Sequence, residues 1–462
     1  MKSYKVFFTH IRAMRFMIGF AGLAIVLLTV GASCFQKKLP PPEPITLVVW
    51  RSEDTTGALK TIAEEYTAAY PHVSFSFRTF KKEEYEDALF DAWAKGEGPD
   101  IFSVPNWRLG RFTELISPMP TSVQLTTSYV KKSFMKKELI VKANKIVFPS
   151  PVRLRDQFVD VVTSDVVFND QIYGLPLSMD TIALFYNRDL LSKAQIAIPP
   201  TNWEEFKNAV QTIVKKDDEG KVVLPATALG TASNIPYFND VLSAIMIQNG
   251  AVMAESGHTG FADEIENQRK PGIEALDFYT KFSNPTWKTY SWNDDQLDAL
   301  EVFTQGNLAF YFGYHQDIPE IERRAPNLNF SYTKLPQLNA DNPINIANYS
   351  VEAVYVKSKN SDHAWNFINF ATGGEQVKTF IETTKRVPAL LSLVAEKQED
   401  PLMSVFATQA LTAKSWYHGI DPNAMVTAFT DMVDAANKRE STLEEIVGIA
   451  ASKVQLTLQK KD

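Results

Sequence analysis

Apolar residues in the first part of the chain follow two different spacings. The stretches 45–50 and 101–104 are rich in β-forming residues, and residues 73–77 alternate between apolar and serine side chains, so all three are predicted strands. Residues 59–69 and 85–93 place apolar side chains three or four positions apart, which predicts two helices. The order strand, helix, strand, helix, strand indicates a mostly parallel sheet flanked by helices.

The same kind of pattern returns later in the chain. Apolar runs at 182–186, 307–312 and 352–356 predict further strands. Thr201 and Glu204 have the spacing of a capping box, and apolar residues at helical spacing follow them, so a helix is predicted to begin there. Together these elements place the chain in the α/β class.

The N-terminal segment has the pattern of an export signal. Lysines and arginines open the chain, an apolar run follows from Phe16 to Val30, and small residues lead directly into Cys34. The apolar run is shorter than the roughly 20 residues that a membrane span needs. The residues before Cys34 resemble a bacterial lipobox, in which the cysteine carries a lipid, although Gly31 stands where a leucine is typical.

This pattern divides the N-terminal segment into two parts. Residues 1–33 are predicted to be a signal peptide of the lipoprotein type, and residues 34–44 a proline-rich, extended spacer. On this interpretation the protein is exported and attached by a lipid on Cys34 to the extracytoplasmic face of the membrane, at the cell surface or in the periplasm. An uncleaved signal-anchor helix is the alternative.

Composition narrows the classes of function. About 420 residues follow the leader, which is enough for two domains. Cys34 is the single cysteine, so the chain forms no intramolecular disulfide and depends on its hydrophobic core. The net charge of −7 argues against a nucleic-acid partner, because nucleic acids favour basic patches.

The sequence contains no familiar catalytic or metal-binding motif. None of the six histidines pairs with another at metal-ligand spacing, and no HExxH, CxxC, GxSxG or phosphate-loop motif occurs. We therefore expect no metal and no cofactor, and a binding protein rather than an enzyme. A glycan-acting enzyme with two carboxylates remains an alternative, because such a pair need not be close in sequence.

Three segments follow one another in a specific succession: YGLPL at 173–177, DTIALFYNRDLL at 180–191 and IPPTNWEEF at 198–206. This succession resembles the bacterial extracellular solute-binding proteins of family 1, the carbohydrate-type receptors of ABC importers. GPDIF at 98–102 is similar to the family's strand after the second helix. The chain departs from the family at 346–352, where IANYSVE replaces adjacent glycines.

The resemblance implies a two-lobed periplasmic-binding-protein fold of type II, with hinge strands between lobes that each contain a mostly parallel sheet flanked by helices. It implies that 45–179 plus 352–395 form lobe 1 and that 180–351 plus 396–462 form lobe 2. A monomer is expected to bind a small solute, such as a sugar, in the cleft and to deliver it to the membrane subunits of an ABC permease. A sensor subunit that presents its ligand to a membrane kinase is a further alternative.

Sugars present apolar faces and many hydroxyls, so a receptor needs aromatic planes and paired polar groups. Strand ends, crossings and late loops supply the candidates. The predicted ligand-binding residues are Trp50, Arg51, Glu53, Asn106, Trp107, Asp180, Tyr314, Tyr349, Arg386, Trp416 and Tyr417. For Trp50, core packing is an equal alternative, and Arg51 and Arg386 have the alternative of pairing with buried carboxylates.

Overall fold

A computed structural model describes residues 39–52, 55–133 and 136–458 of the chain. The signal peptide, the proposed lipid site at Cys34 and the candidate Glu53 lie outside these residues. Among the helices of the described part, none is both long and apolar enough to cross a membrane.

Helices and strands alternate along most of the described chain. The α-helices are α1 Thr56–Ala69, α2 Lys82–Lys95, α3 Leu109–Phe112, α4 Pro151–Gln157, α5 Asp160–Val166, α6 Arg188–Lys193, α7 Trp203–Ile213, α8 Phe238–Gln248, α9 Pro271–Thr280, α10 Ala299–Thr304, α11 Ile318–Arg324, α12 Ser361–Ala371, α13 Gly374–Thr384, α14 Leu391–Lys397, α15 Ser404–Ala410, α16 Pro422–Lys438 and α17 Leu443–Gln455. The strands are β1 Ile45–Arg51, β2 Val73–Thr79, β3 Ile101–Pro105, β4 Ser122–Ser133, β5 Lys136–Val147, β6 Val167–Phe168, β7 Gln171–Ile172, β8 Leu175–Pro176, β9 Asp180–Thr181, β10 Ala183–Asn187, β11 Lys215–Lys216, β12 Val222–Leu224, β13 Ala254–Glu255, β14 His258–Thr259, β15 Phe310–Gly313, β16 Phe330–Thr333, β17 Asn345–Asn348, β18 Ser350–Val354 and β19 Ala413–Lys414.

The first sheet has the strand order β2-β1-β3-β18-β8. β1 pairs in parallel with β2 and β3, as the alternating pattern of strands and helices predicts. The helix after β1 ends before Pro71, and the helix after β2 ends at Gly96, whose φ of +72° suits glycine. The carboxyl ends of β1 and β3 therefore lie at the same edge of the sheet.

The second sheet differs from the prediction of a mostly parallel arrangement. β10 lies between β15 and β16 and pairs antiparallel with both. The apolar runs in the sequence correctly indicate buried strands here. Their direction, however, depends on how the long connections return to the sheet, and no local pattern records that.

A third sheet, with the order β19-β17-β9, lies next to the point where the chain passes into the first sheet. β17 pairs antiparallel with β9 and parallel with β19. Only Tyr349 separates β17 from β18, which lies between β3 and β8 in the first sheet. One short segment therefore connects two sheets.

The start of α7 is shifted by one residue from the predicted capping box. Asn202, rather than Thr201, is the N-cap, and its side chain accepts a hydrogen bond from the Glu205 backbone N–H at 2.8 Å. Glu205 in turn accepts from the Thr201 backbone N–H at 2.8 Å. The reciprocal bond therefore comes from the residue before the N-cap, and Glu205 takes the place predicted for Glu204.

The described chain divides into two compact units. One contains residues 39–43, 126–133 and 136–144, which include the central part of the two-stranded ribbon that β4 and β5 form. The other contains residues 44–125 and 145–458 and includes the sheets described above. Large aromatic side chains such as Trp292 and Trp365 are completely buried in its core.

Candidate ligand-binding cleft

A cavity of about 650 Å³ opens where β1 and β3 end. Ser52, Pro105 and Ser350 bring the edge of the first sheet to one wall. Residues from α8, α16 and the segment after β15 build the facing wall; they are Tyr237, Asn239, Asp240, Gln316, Asn423 and Val426. Ligands of α/β proteins bind at the carboxyl ends of parallel strands, so this cavity is the candidate site.

Arg108 connects the two walls of the cavity, and Trp107 lies beside it. Both lie in a 3-10 turn, Asn106–Arg108, that follows β3 directly. The Arg108 guanidinium lies 4.4 Å from the centre of the Trp107 ring. It donates a hydrogen bond of 2.6 Å to Glu86 on α2 and another of 2.6 Å to Asn423 on α16, which belongs to the facing wall. These bonds fix the guanidinium beside the half-buried indole ring and so limit where that ring can move.

Two tyrosines and two carboxylates support the facing wall. Tyr237 donates to Asp317 at 2.8 Å, Tyr314 donates to Asp240 at 2.7 Å, and the two rings meet edge to face at 4.8 Å. Burial raises the pKa of Asp240 to about 6. Because Tyr237 and Asp240 line the cavity, this wall offers an aromatic surface and carboxylate oxygens to a hydroxyl-bearing ligand.

Sequence comparison assigns the chain to a family. A family model described as bacterial extracellular solute-binding protein matches residues 61–405. The chain belongs to this family. As a bacterial extracellular solute-binding protein it is exported. The cavity of this protein lies at the carboxyl ends of the parallel strands β1 and β3, where α/β proteins bind their ligands.

Curated relatives of this solute-binding protein match along most of their length. The galactooligosaccharide-binding protein of Bacillus subtilis is 22% identical over 386 residues, which cover 82% of this chain and 80% of the relative. The maltotriose-binding protein of Pyrococcus abyssi is 22% identical over 370 residues, which cover 78% and 70%.

Solved structures confirm the two-lobed periplasmic-binding-protein fold. A cyclo/maltodextrin-binding protein complexed with maltotetraose matches with a TM-score of 0.69 at 17% identity, over 92% of this chain and 100% of the other. The sugar-binding protein MalE of Xanthomonas citri matches with a TM-score of 0.67 at 17% identity, over 89% and 97%. The residue boundaries of the two lobes stay a prediction.

The sequence-predicted site residues of the solute-binding protein fall into several environments. Trp107 lines the cavity, and Tyr314 is one hydrogen bond away from it through Asp240. Sequence reasoning missed Tyr237 and Asp240. The available signal was a proline and an aromatic residue directly before an apolar helix, with an acidic residue in its first turn.

Asn106 and Tyr349 come together beneath the cavity, around a carboxylate that was not predicted. Asp165 on α5 is completely buried and accepts hydrogen bonds from Tyr349 at 2.7 Å and from Asn106 at 3.0 Å. The Asn106 amide also lies 3.2 Å from the Ser415 hydroxyl. Burial raises the pKa of Asp165. The network fixes the segment between β17 and β18 to the turn that carries Trp107.

Asp180 is buried at the start of the crossing strand β9. Its carboxylate accepts from the backbone N–H groups of Thr181, His315 and Gln316 at 2.8, 3.1 and 3.0 Å. Burial raises the pKa of Asp180 to about 7, while these hydrogen bonds and the charge of Arg386 act in the opposite direction. Arg386 lines a separate cavity of about 390 Å³ that also contains His315 and Gln316.

Trp50 and Arg51 are buried at the end of β1, and neither lines the 650 Å³ cavity. The Trp50 ring packs against Phe80 at 4.7 Å. Arg51 forms an ion pair of 2.6 Å with Glu352 on β18, and both side chains are about 95% buried. In the structure, Trp50 therefore packs in the core, and Arg51 pairs with a buried carboxylate, which are the alternatives given for these residues above.

Trp416 and Tyr417 lie in the loop before α16. The Trp416 indole N–H donates to the Ser243 hydroxyl at 3.1 Å, and its ring lies 5.7 Å from that of Phe429. Tyr417 is buried.

In the described part of the chain, no cluster of three histidine, cysteine, aspartate or glutamate side chains is arranged to hold a metal ion.

Proposed function

We propose that this solute-binding protein captures a sugar or oligosaccharide in the 650 Å³ cavity and delivers it to the membrane subunits of an ABC importer. The observation that carries the proposal is the composition of the cavity. Trp107 and Tyr237 supply aromatic surfaces, while Asp240, Asn239, Gln316 and other polar residues surround them. Such a combination suits a ligand with apolar C–H faces and many hydroxyls.

The relatives support the class of ligand. Those named above are a galactooligosaccharide-binding and a maltotriose-binding protein, and the structural neighbour contains maltotetraose. Binding proteins of this fold close about a hinge around their ligand. We propose that the permease recognises the closed form. We further propose that a lipid on Cys34 keeps the receptor at the membrane, close to that permease.

A thermal-shift screen of the purified protein tests the ligand class. Sugars, sugar acids, polyols and peptides are added one at a time, and the melting temperature is measured. A sugar present at 100 times its Kd stabilises the folded state by about 2.7 kcal/mol, because it binds only that state. A melting temperature that rises only with peptides or polyols contradicts the proposal.

Product analysis separates a receptor from a glycan-acting enzyme. The protein is incubated with the stabilising saccharide, and the mixture is examined for shortened or transferred glycans. Saturable binding without products supports the receptor. Turnover that disappears when Asp240 is changed to asparagine favours the enzyme, since Asp240 is a carboxylate of the cavity wall.

A further inference from the structure

The ribbon formed by β4 and β5 has a charge opposite to that of the whole protein. Residues 122–147 contain six lysines and one glutamate, so this segment carries five net positive charges on a chain whose net charge is −7. Lys131, Lys142 and Lys145 are exposed side chains of the two strands. The ribbon is therefore a basic surface on an acidic protein.

Apolar side chains accompany these lysines. Tyr129, Val130 and Leu139 are exposed by 47%, 54% and 50% of their surface. The Lys142 ammonium lies 5.5 Å from the centre of the Tyr129 ring, so these two side chains share a face of the ribbon. Val130 points to the opposite face, because successive side chains of a strand alternate. Lysine and apolar side chains are thus mixed on the ribbon.

We propose that this ribbon binds the surface of an anionic lipid bilayer. The negative surface potential of such a bilayer attracts lysines, and each lysine near the surface contributes about 1 kcal/mol to the free energy of binding. Exposed tyrosine, valine and leucine side chains stabilise the bound state when they enter the boundary between headgroups and acyl chains. The charge complementarity and the mixture of lysine with apolar groups together favour a bilayer over a purely ionic partner. This binding is independent of the ligand in the cleft.

Vesicle co-sedimentation tests the proposal. The chain without its predicted signal peptide, residues 34–462, carries Cys34→Ala in every sample, so that neither the apolar leader nor an attached lipid contributes. It is mixed with vesicles of phosphatidylcholine alone or of phosphatidylcholine with one third phosphatidylglycerol, at low and high salt. We expect stronger binding to the phosphatidylglycerol vesicles and a loss of this difference in high salt, because salt screens exposed charges.

The decisive variant is K131E/K142E/K145E. We expect its partitioning to phosphatidylglycerol vesicles to fall on the order of 100-fold, and that of K131Q/K142Q/K145Q to fall by a similar or smaller factor. The matched control is K60E/K221E/K334E, which changes the net charge equally at exposed lysines outside the ribbon. This control should keep its binding to within a few-fold. Unchanged melting temperatures establish that the variants fold.

Three results would overturn the proposal. One is equal binding of the parent protein to both vesicle types, and another is an equal loss in the ribbon variant and in the control. The third is unchanged vesicle binding by the ribbon variant combined with a loss of solute uptake in cells. That last result would assign the ribbon to a protein partner, such as the permease, instead of the bilayer.

Discussion

At the scale of the residue, the aromatic side chains near the strand ends divide into two groups. Trp50 is packed against Phe80 under the end of β1, whereas Trp107 is half-buried and lines the cavity. The two tryptophans are similar in sequence, since each stands at the end of an apolar strand. Their roles differ because β3 passes directly into a turn that carries Trp107 away from the core.

Trp107→Ala should weaken saccharide binding by about tenfold or more, since an aromatic platform contributes roughly 1 kcal/mol beyond its buried area. The melting temperature should change little. Trp203→Ala is the control, because Trp203 is buried in α7 and donates to Gln248 at 2.7 Å. That variant should lose about 3–5 kcal/mol of stability. Calorimetric titration and urea unfolding measure the two effects, and a large loss of stability in Trp107→Ala would place Trp107 in the core.

Two neighbouring buried groups should give opposite dependences of stability on pH. Burial lowers the pKa of His315 from 6.5 to about 4, so the free energy of unfolding decreases as the pH falls from about 6.5 to 4, where the unfolded state binds the proton more readily. Burial raises the pKa of Asp180 from 3.8 to about 7, so the free energy of unfolding decreases as the pH rises from about 4 to 7, where the unfolded state releases the proton more readily. The effect is roughly 3 kcal/mol for His315 and roughly 4 kcal/mol for Asp180, and in the parent protein the two largely offset each other.

Urea unfolding between pH 4 and 7 checks this expectation. Relative to the parent, His315→Asn should gain stability as the pH falls, because the variant lacks the histidine whose protonation favours the unfolded state. Asp180→Asn should lose stability over the same range. Parallel curves for both variants would show that neither group titrates as its burial implies.

At the scale of the element, hydrophobic periodicity was a sound guide to local structure. The spacing of apolar residues predicted β1, α1, β2, α2 and β3 to within a few residues of their observed ends. It could not predict the antiparallel second sheet, because the direction of β15 and β16 depends on pairing between distant segments.

Side-chain networks were likewise beyond local reasoning. Asp165 lies in an ordinary helical pattern, and only the folded chain brings it to Tyr349 and Asn106. The same limit explains why Trp107 was identified as a cleft residue, whereas Asp240 on the facing wall was missed. Trp107 follows its strand directly, but Asp240 reaches the cavity from a helix of another part of the fold.

The N-cap of α7 gives a test at this scale. Asn202→Ala should destabilise the protein by about 1 kcal/mol, because the backbone N–H of Glu205 loses its acceptor. Thr201→Ala should cost less, since the exposed Thr201 hydroxyl binds the Glu205 side chain rather than the helix backbone. Chemical denaturation of both variants measures the difference. A larger loss for Thr201→Ala would favour the cap predicted from the sequence.

At the scale of the whole molecule, two separate features are proposed to hold the receptor at the membrane. The lipid on Cys34 is a covalent anchor, and the basic ribbon is an electrostatic contact. These contacts differ in their response to salt. An acyl anchor resists high salt, whereas lysine contacts with a charged surface weaken as the ionic strength rises.

Cys34→Ala should therefore release the protein from membranes in high salt. Cell fractions are washed at low and at high ionic strength, and the protein is quantified in pellet and supernatant. The parent protein should stay in the pellet under both conditions. A Cys34→Ala variant that also remains there in high salt would favour the uncleaved signal anchor.

The position of β18 has a consequence for how the protein is made. Residues 350–354 lie between strands that end at residues 105 and 176, so the first sheet lacks an interior strand until late in synthesis. At about 5–20 residues per second, the ribosome takes on the order of ten seconds or more to go from β3 to β18. During that interval the N-terminal half cannot complete its sheet. The late position of this interior strand therefore delays folding of the first sheet, and the chain stays unfolded for longer while it is made.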